Sequence, residues 1–375
     1  MSRRGDARAI YGAALRSVDA ATAVQRALAA RPPAGPVVVV GAGKAVRGMA
    51  TGALQALGPR VLGGLVVAPA PAELGPIRVR VGDHPLPTQR SLRAGEALRQ
   101  FVGDLPTDAQ VLGLWSGGAS AMAVAPVQPL DTYVAAQNAL VATGADIHEL
   151  NAWRIAHSRL KGGRLRALAP HASWRNLVIS DVLGDDPAVV GSGPGVSADA
   201  PGELVLTRRD ALRGAEAEAW ALRYAVTVLS DDAAGDAAEL GQRLAHALTL
   251  GFPGQPPMAL LVAGEPTLRL PAEAPPGGRM QHAALAAALV LEGTEAVVLA
   301  AGTDGRDGPT EAAGALVDGG TAGRVRAAGI DPVAALDAAD SHRALAAAGD
   351  LLDRVDTGTN VGDLLIGLSP PVRGV

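Results

Sequence analysis

Short apolar runs alternate with longer stretches of helical periodicity along most of the chain. The first run, Val37-Val38-Val39-Val40, is led in by Pro32, Pro33 and Pro36 and closed by Gly41. An unbroken β-branched run of this kind marks a strand buried on both faces. Comparable runs follow at 61–68, 77–81, 111–115, 176–180 and 226–229. Six strands interleaved with helices predict a doubly wound, mostly parallel, Rossmann-like sheet ending near residue 235. Residues 7–30 read as helix, with Ile10, Leu15, Val18 and Leu28 on the apolar side and Pro32-Pro33 as the stop. A helical excursion over about 130–168, between the fourth and fifth strands, has the size of a lid or wall. A helix near 235–249 precedes Gly251-Phe252-Pro253-Gly254-Gln255-Pro256-Pro257, which reads as a domain boundary. The expected organisation is therefore a domain over 1–235 and a smaller α/β domain over 236–375. The latter has strands opening at Leu260, at 296–301 and at 364–368.

Composition narrows the function. A hydrophobic content of 48% with 47 glycines describes a globular, turn-rich chain of 375 residues, long enough for two cores. A net charge of −4, without a Lys/Arg block, argues against a nucleic-acid partner, and 2% aromatics leaves little for base stacking. The absence of cysteine removes disulfides, thiolate metal sites and Cys nucleophiles, and it fits a reducing, cytoplasmic location. No stretch has the length and apolarity of a membrane span, and no leader pattern opens the chain. Small-molecule chemistry is the expectation. Oligomeric state is open, with a homodimer as the candidate assembly.

In doubly wound sheets ligands sit beyond the carboxyl ends of the strands, and there the chain is rich in Gly, Ser and Asp. The first strand ends in Gly41-Ala42-Gly43-Lys44-Ala45. Among 33 basic residues only Lys44 and Lys161 are lysine, and both lie beside glycines. An ammonium beside a Gly-rich turn at a helix start suits an anion. The loop is neither a dinucleotide fingerprint, since Gly48 comes too late, nor a Walker A loop, since Ala45 replaces Ser or Thr. Ser116-Gly117-Gly118-Ala119-Ser120 is suited to cradling phosphate, or else is a tight turn with a cap. Asp181 stands at the end of the fifth strand, ahead of Asp185 and Asp186, which read as turn aspartates. The excursion carries Asn151 and Lys161. In the second half, Glu265 ends a strand and Arg279 follows Gly277-Gly278 at a helix start, where a planar fork suits carboxylate or phosphate. Gly302-Thr303-Asp304-Gly305-Arg306-Asp307 resembles a cation loop but lacks the EF-hand glutamate.

Taken in order, these blocks resemble the glycerate 2-kinases that carry a MOFRL C-terminal domain. The likeness rests on Gly41-Ala-Gly-Lys-Ala45, Gly82-Asp-His-Pro85, Ser116-Gly-Gly118 with Ser120, Lys161-Gly-Gly-Arg164, and Ser180-Asp-Val-Leu-Gly-Asp-Asp-Pro187 with Gly191-Ser-Gly-Pro194. It continues in Gly264-Glu265, Gly277-Gly-Arg279 with Gln281, Gly302-Thr-Asp-Gly305 with Asp307-Gly308, and Thr357-Gly-Thr-Asn360 with Asp363, so it spans nearly the whole chain. Met280 and His282 depart from the family's usual Asn and Glu. The resemblance implies two α/β domains with the active site in the cleft, and a kinase that uses ATP and Mg2+ to phosphorylate the 2-hydroxyl of D-glycerate. It implies Lys44 at the transferring phosphoryl group or the glycerate carboxylate, Arg279 as charge stabiliser and Asp181 as base. Gly43, Ser116, Gly117, Gly118, Ser120, Asn151, Lys161, Glu265, Gly302, Thr303 and Asn360 would bind substrate or phosphate, and Asp304 and Asp307 the metal. Base and metal assignments are interchangeable at this level. A nicotinamide-dependent hydroxypyruvate reductase and a non-catalytic sugar-acid or nucleotide-binding module are the competing readings.

Overall fold

A computed structural model describes residues 2–143, 147–250, 255–271 and 274–371. The chain divides into two compact units. The helix expected over 7–30 is two helices. α1 (Arg3–Ser17) ends before Asp19, whose carboxylate accepts a hydrogen bond from Thr22 N at 2.7 Å and starts α2 (Ala20–Ala30). A carboxylate at that position meets both the unpaired amides and the positive helix end. The break separates the helices between units, because α1 belongs with the second and α2 with the first.

The first unit comprises Asp19–Thr207 with Gly358–Asn360. After α2 it runs β1 (Val37–Ala42), α3 (Val46–Leu57), β2 (Val61–Ala68), β3 (Ile77–Val81), α4 (Gln89–Gly103) and β4 (Gln110–Ser116). It continues through α5 (Ala119–Met122), α6 (Leu130–Ala142), α7 (Ile147–Ala156), β5 (Ser173–Ile179) and β6 (Gly202–Leu206). The sheet order is β3-β2-β1-β4-β5-β6 and every pairing is parallel. The chain winds outward in both directions from β1 and β4, so their carboxyl ends form the switch point where such sheets bind ligands. The expected excursion is present as α6 and α7. The sixth strand is β6, not 226–229. Gly202-Glu203 at its start and its half-exposed edge position hide it from a search for apolar runs.

Trp115 in β4 is fully buried, and its Nε1 donates to Asn176 Oδ1 at 2.9 Å. Asn176 Nδ2 in turn donates to Gly195 O (2.9 Å) and Ala200 O (3.0 Å), fastening the 187–200 loop beneath the sheet.

The second unit comprises the described parts of Met1–Val18, Arg208–Thr357 and Val361–Val375. After α1 come α8 (Arg208–Ala221), β7 (Ala225–Ala233), α9 (Ala237–Thr249), β8 (Met258–Gly264), α10 (Arg279–Leu291) and β9 (Val297–Gly302). These are followed by β10 (Ala312–Asp318), α11 (Thr321–Ala327), α12 (Pro332–Asp337), α13 (Ser341–Ala348), β11 (Leu351–Asp353) and β12 (Asp363–Leu368). The order is β11-β10-β9-β12-β8-β7, a mixed sheet in which β12 runs antiparallel between β8 and β9. That register sets Asp363 opposite both Gly264 and Gly302. β7 pairs with β8 in parallel, and α9 is the crossover between them. The expected boundary near 235 and the Gly/Pro stretch at 251–257 therefore fall inside this unit; residues 251–254 themselves lie outside the described residues. α10 is buried on nearly every side, and its alanines let α9 approach so closely that a Cβ at Gly241 would collide with Ala283 O. Among the described residues no helix is long and apolar enough to cross a membrane.

Replacing Asn176 with Ala takes the acceptor from the Trp115 donor and the donor from Gly195 O, and removes one of the two hydrogen bonds to Ala200 O. The substitution should cost about 3 kcal/mol, read as a lower midpoint of urea unfolding with an unchanged m value.

Candidate functional site

The loops after β1 and β4 are locked together at the switch point. Lys44 N donates to Gly117 O at 2.9 Å, and Ala45 N to the buried Ser116 Oγ at 3.0 Å. Gly43 has φ +130°, and a Cβ there would collide with Ser116. Gly118, at φ +83°, lies against the Lys44 stem on one side and the His84 ring on the other. A Cβ on Gly117 would occupy the space taken by the Asp181 carboxylate and the Asn360 amide. Asn360 Nδ2 donates to Asp181 Oδ2 at 2.6 Å, so a residue from near the end of the chain orients the carboxylate at the end of β5. The structure thus gathers Gly43, Lys44, Ser116, Gly117, Gly118, Asp181 and Asn360 into one group.

Ser120, Asn151 and Lys161 form a second group in the same unit. Lys161 is fully buried, and its Nζ donates to Ser120 O (2.6 Å) and Ser120 Oγ (2.9 Å). Ser192, not foreseen, links them: its Oγ lies 3.0 Å from Ser120 Oγ and donates to Asn151 Oδ1 at 2.9 Å. Burial, and then the neighbouring Arg154 charge, push the Lys161 amine well below the usual lysine range.

In the second unit, antiparallel β12 carries Asp363 between the ends of β8 and β9. Arg279 Nε lies 2.6 Å from Asp363 Oδ2, and its two terminal nitrogens lie 3.4 Å from Glu265 Oε1. Burial opposes the charge on Arg279, but Asp363 and Glu265 outweigh it and raise the guanidinium above its ordinary value. Asp363 is pushed up to about 7, first by burial, with Asp307, Glu265 and Asp304 adding to it against the pull of Arg279.

Three residues expected to touch ligand are committed elsewhere. Asp307 is buried and caps α10, accepting from Met280 N (3.0 Å) through one oxygen and from Gln281 N (2.7 Å) and Gln281 Nε2 (2.9 Å) through the other. That leaves it holding the helix that presents Arg279 and poorly placed to ligate metal. Thr303 Oγ1 donates to Gly362 O (2.6 Å) and accepts from Val361 N (2.9 Å). Gly302 O accepts from Tyr11 in α1 at 2.6 Å. Asp304, which keeps its expected role, accepts from Arg306 N at 3.0 Å through Oδ1 within its turn. Among the described residues no three His, Cys, Asp or Glu side chains form a metal cluster.

The chain is similar to known proteins over most of its length. The model of a family described as a domain of unknown function, DUF4147, matches residues 6–217, and that of the MOFRL family matches 258–363. The D-glycerate 2-kinase of Thermotoga maritima is 34% identical over 88% of this chain and 90% of its own. The chain belongs to the glycerate 2-kinase family with a MOFRL C-terminal domain. A protein of Agrobacterium vitis is 37% identical over 97% of this chain and 94% of its own, and it carries a provisional hydroxypyruvate reductase name. The crystal structure of glycerate kinase from Thermotoga maritima superposes with a TM-score of 0.85 at 30% identity, covering 98% of this chain and 99% of that one.

Asp363 belonged to a motif in the sequence but had no role, because nothing local shows that its strand inserts between β8 and β9. Its titration has a definite sign. With an ordinary aspartate value of about 4 in the unfolded chain, the stability carried by its protonated form is complete below pH 4 and lost as pH rises through about 7. In protein treated with EDTA, the unfolding free energy of wild type relative to Asp363→Asn should fall across that window and then level off. Urea titrations at pH 4.5, 6 and 8 read it.

Proposed function

We propose that this chain is an ATP-dependent glycerate 2-kinase that transfers the γ-phosphate to the 2-hydroxyl of D-glycerate, giving 2-phosphoglycerate. The observation that carries this reading is the switch-point group around Lys44 and Asp181, in a chain similar over most of its length to the D-glycerate 2-kinase of Thermotoga maritima. Phosphoryl transfer demands little covalent chemistry from the protein. It requires in-line positioning, neutralisation of charge on the phosphoryl oxygens and a group to take the hydroxyl proton.

Lys44 leaves the loop at a place fixed by its own amide and neutralises the transferring phosphoryl group or the glycerate carboxylate. The Ser116-Gly117-Gly118 turn holds phosphate beside it. Asp181, oriented by Asn360, accepts the proton of the 2-hydroxyl. Arg279, held charged by Asp363 and Glu265, stabilises the charge that develops during transfer, while Glu265 and Asp304 orient substrate. Mg2+ characteristically binds through substrate phosphates and one or two carboxylates, and would arrive here on the nucleotide. When bound, the ion would neutralise phosphate charge, with Asp304 as the carboxylate that would hold it, since Asp307 caps α10.

A hydroxypyruvate reductase is the second reading, favoured by the name of the Agrobacterium vitis relative. Purified protein given D-glycerate with ATP and Mg2+, or with NAD, separates the two. The kinase reading expects ADP and a phosphorylated acid, whereas reduced nicotinamide without ADP would refute it. Within that assay, Lys44→Ala should lose transition-state stabilisation of about 3 kcal/mol, roughly a hundredfold or more in kcat. Asp181→Asn should keep nucleotide binding and lose turnover; near-wild-type kcat in either variant removes the role given to that residue.

A further inference from the structure

We propose that His342 is a positioning residue for Arg279: acting through Gln281 and Asp307, it fixes the first turn of α10, from which Arg279 projects. The consequence for turnover rests on the kinase reading; the hydrogen-bond chain itself does not.

The chain of contacts begins on α13. Ala344 and Leu345 bury that helix in the same apolar core as Ala284, Leu285 and Ala288 of α10, so packing sets its place. From it the half-buried His342 brings Nδ1 within 2.7 Å of Gln281 Oε1, and the preceding Ser341 brings Oγ within 3.1 Å of His282 Nδ1. Gln281 is fully buried, and its Nε2 donates to Asp307 O (3.1 Å), Asp307 Oδ2 (2.9 Å) and Thr310 Oγ1 (3.0 Å). Carbonyl and carboxylate oxygens only accept, so the amide nitrogen must face them and the amide oxygen must face His342. The imidazole is therefore the donor, protonated at Nδ1.

Asp307 is the other end of the chain of contacts. Its own amide is held by Ala312 O at 2.8 Å, and its two carboxylate oxygens hold Met280 N at 3.0 Å and Gln281 N at 2.7 Å, the amides that follow Arg279. The carboxylate lies where a Cβ on Gly278 would stand, and a Cβ on Gly308 would strike Gly277 O, so the lead-in to the helix is packed without slack.

Without the imidazole, the buried Gln281 oxygen loses its donor. An amide that turned over to find another would set that oxygen against the Asp307 carboxylate, where two acceptors repel. The grip of Asp307 on the helix start then loosens, and Arg279 is the residue that shifts. Misplacing a group that acts in the transition state by about 1 Å can cost roughly a hundredfold in rate. His342 lies 61 residues beyond Gln281, which is why no local pattern marks it.

Two measurements on the full-length protein test this. His342→Ala removes the donor, His342→Phe removes it while keeping the bulk of the ring, and His342→Asn sets an amide nitrogen in the position of Nδ1. In hydrogen exchange without ligand, the amides of Met280 and Gln281 should exchange about tenfold faster in the Ala and Phe variants and near the wild-type rate in His342→Asn. With ATP, Mg2+ and D-glycerate, kcat should fall about tenfold or more in the Ala and Phe variants, with either KM changed less than about threefold, and His342→Asn should recover most of the loss. In an Arg279→Ala background, His342→Ala should cost less than about twofold more, because the group it misplaces is gone. Unchanged exchange in both the Ala and Phe variants, no recovery in His342→Asn, or an equal loss with and without Arg279 overturns the inference. Wild type that forms no ADP while exchange responds to His342→Ala overturns the kinase reading alone, whereas ADP formation with unresponsive exchange overturns this inference alone.

Discussion

The close approach of the loop after β1 to the loop after β4 is the constraint from which the site of the first unit follows. A Cβ at Gly41 would strike Leu114 O, one at Gly43 would strike Ser116, and one at Gly117 would displace both Asp181 and Asn360. Glycine at these positions lets the backbones meet, and the meeting is sealed by the Lys44 amide on Gly117 O. The ammonium therefore leaves from a fixed point, and the Asp181 carboxylate rests directly on the turn that follows β4. The grouping of these residues is a consequence of backbone packing more than of flexible side chains reaching toward one another.

The units differ in how they handle charge. In the first, the buried Lys161 donates to the carbonyl and hydroxyl of Ser120, and Lys44 stands at a Gly-rich turn. In the second, one guanidinium stands among several carboxylates, and the cost of crowding those acids is visible in Asp363, pushed up to about 7 despite its ion pair with Arg279. Arg279 is kept charged and oriented by its partners, while Asp307 spends its carboxylate on the helix start that presents it.

Much of this was legible in the residues. Apolar runs located β1, β2 and β4 because strands buried on both faces leave that pattern, and Gly, Ser and Asp clusters marked the carboxyl ends of β1 and β4. Lys44 stood out because lysine is so rare in this chain. What the pattern hid was long-range. The short acceptor turn at Val18-Asp19 divides an apparent single helix between two units, and the edge strand β6 begins with Gly-Glu. Ala-rich β10 carries little strand signal. Asp363 acquires its meaning only when β12 runs antiparallel between two strands far away in sequence. Asp307 looked like a ligand because its spacing echoes a cation loop, yet the same geometry serves a cap. Tyr11 and Ser192 gain contacts near the expected residues only through tertiary packing.

The central claim is that this scaffold directs a phosphoryl group to one hydroxyl of a three-carbon acid. Phosphorus NMR of the products formed from ATP, Mg2+ and D-glycerate tests it most directly, since the 2- and 3-phosphates give distinct proton couplings. The account expects the doublet of 2-phosphoglycerate together with ADP. A triplet from 3-phosphoglycerate, or ADP with inorganic phosphate alone, would contradict it.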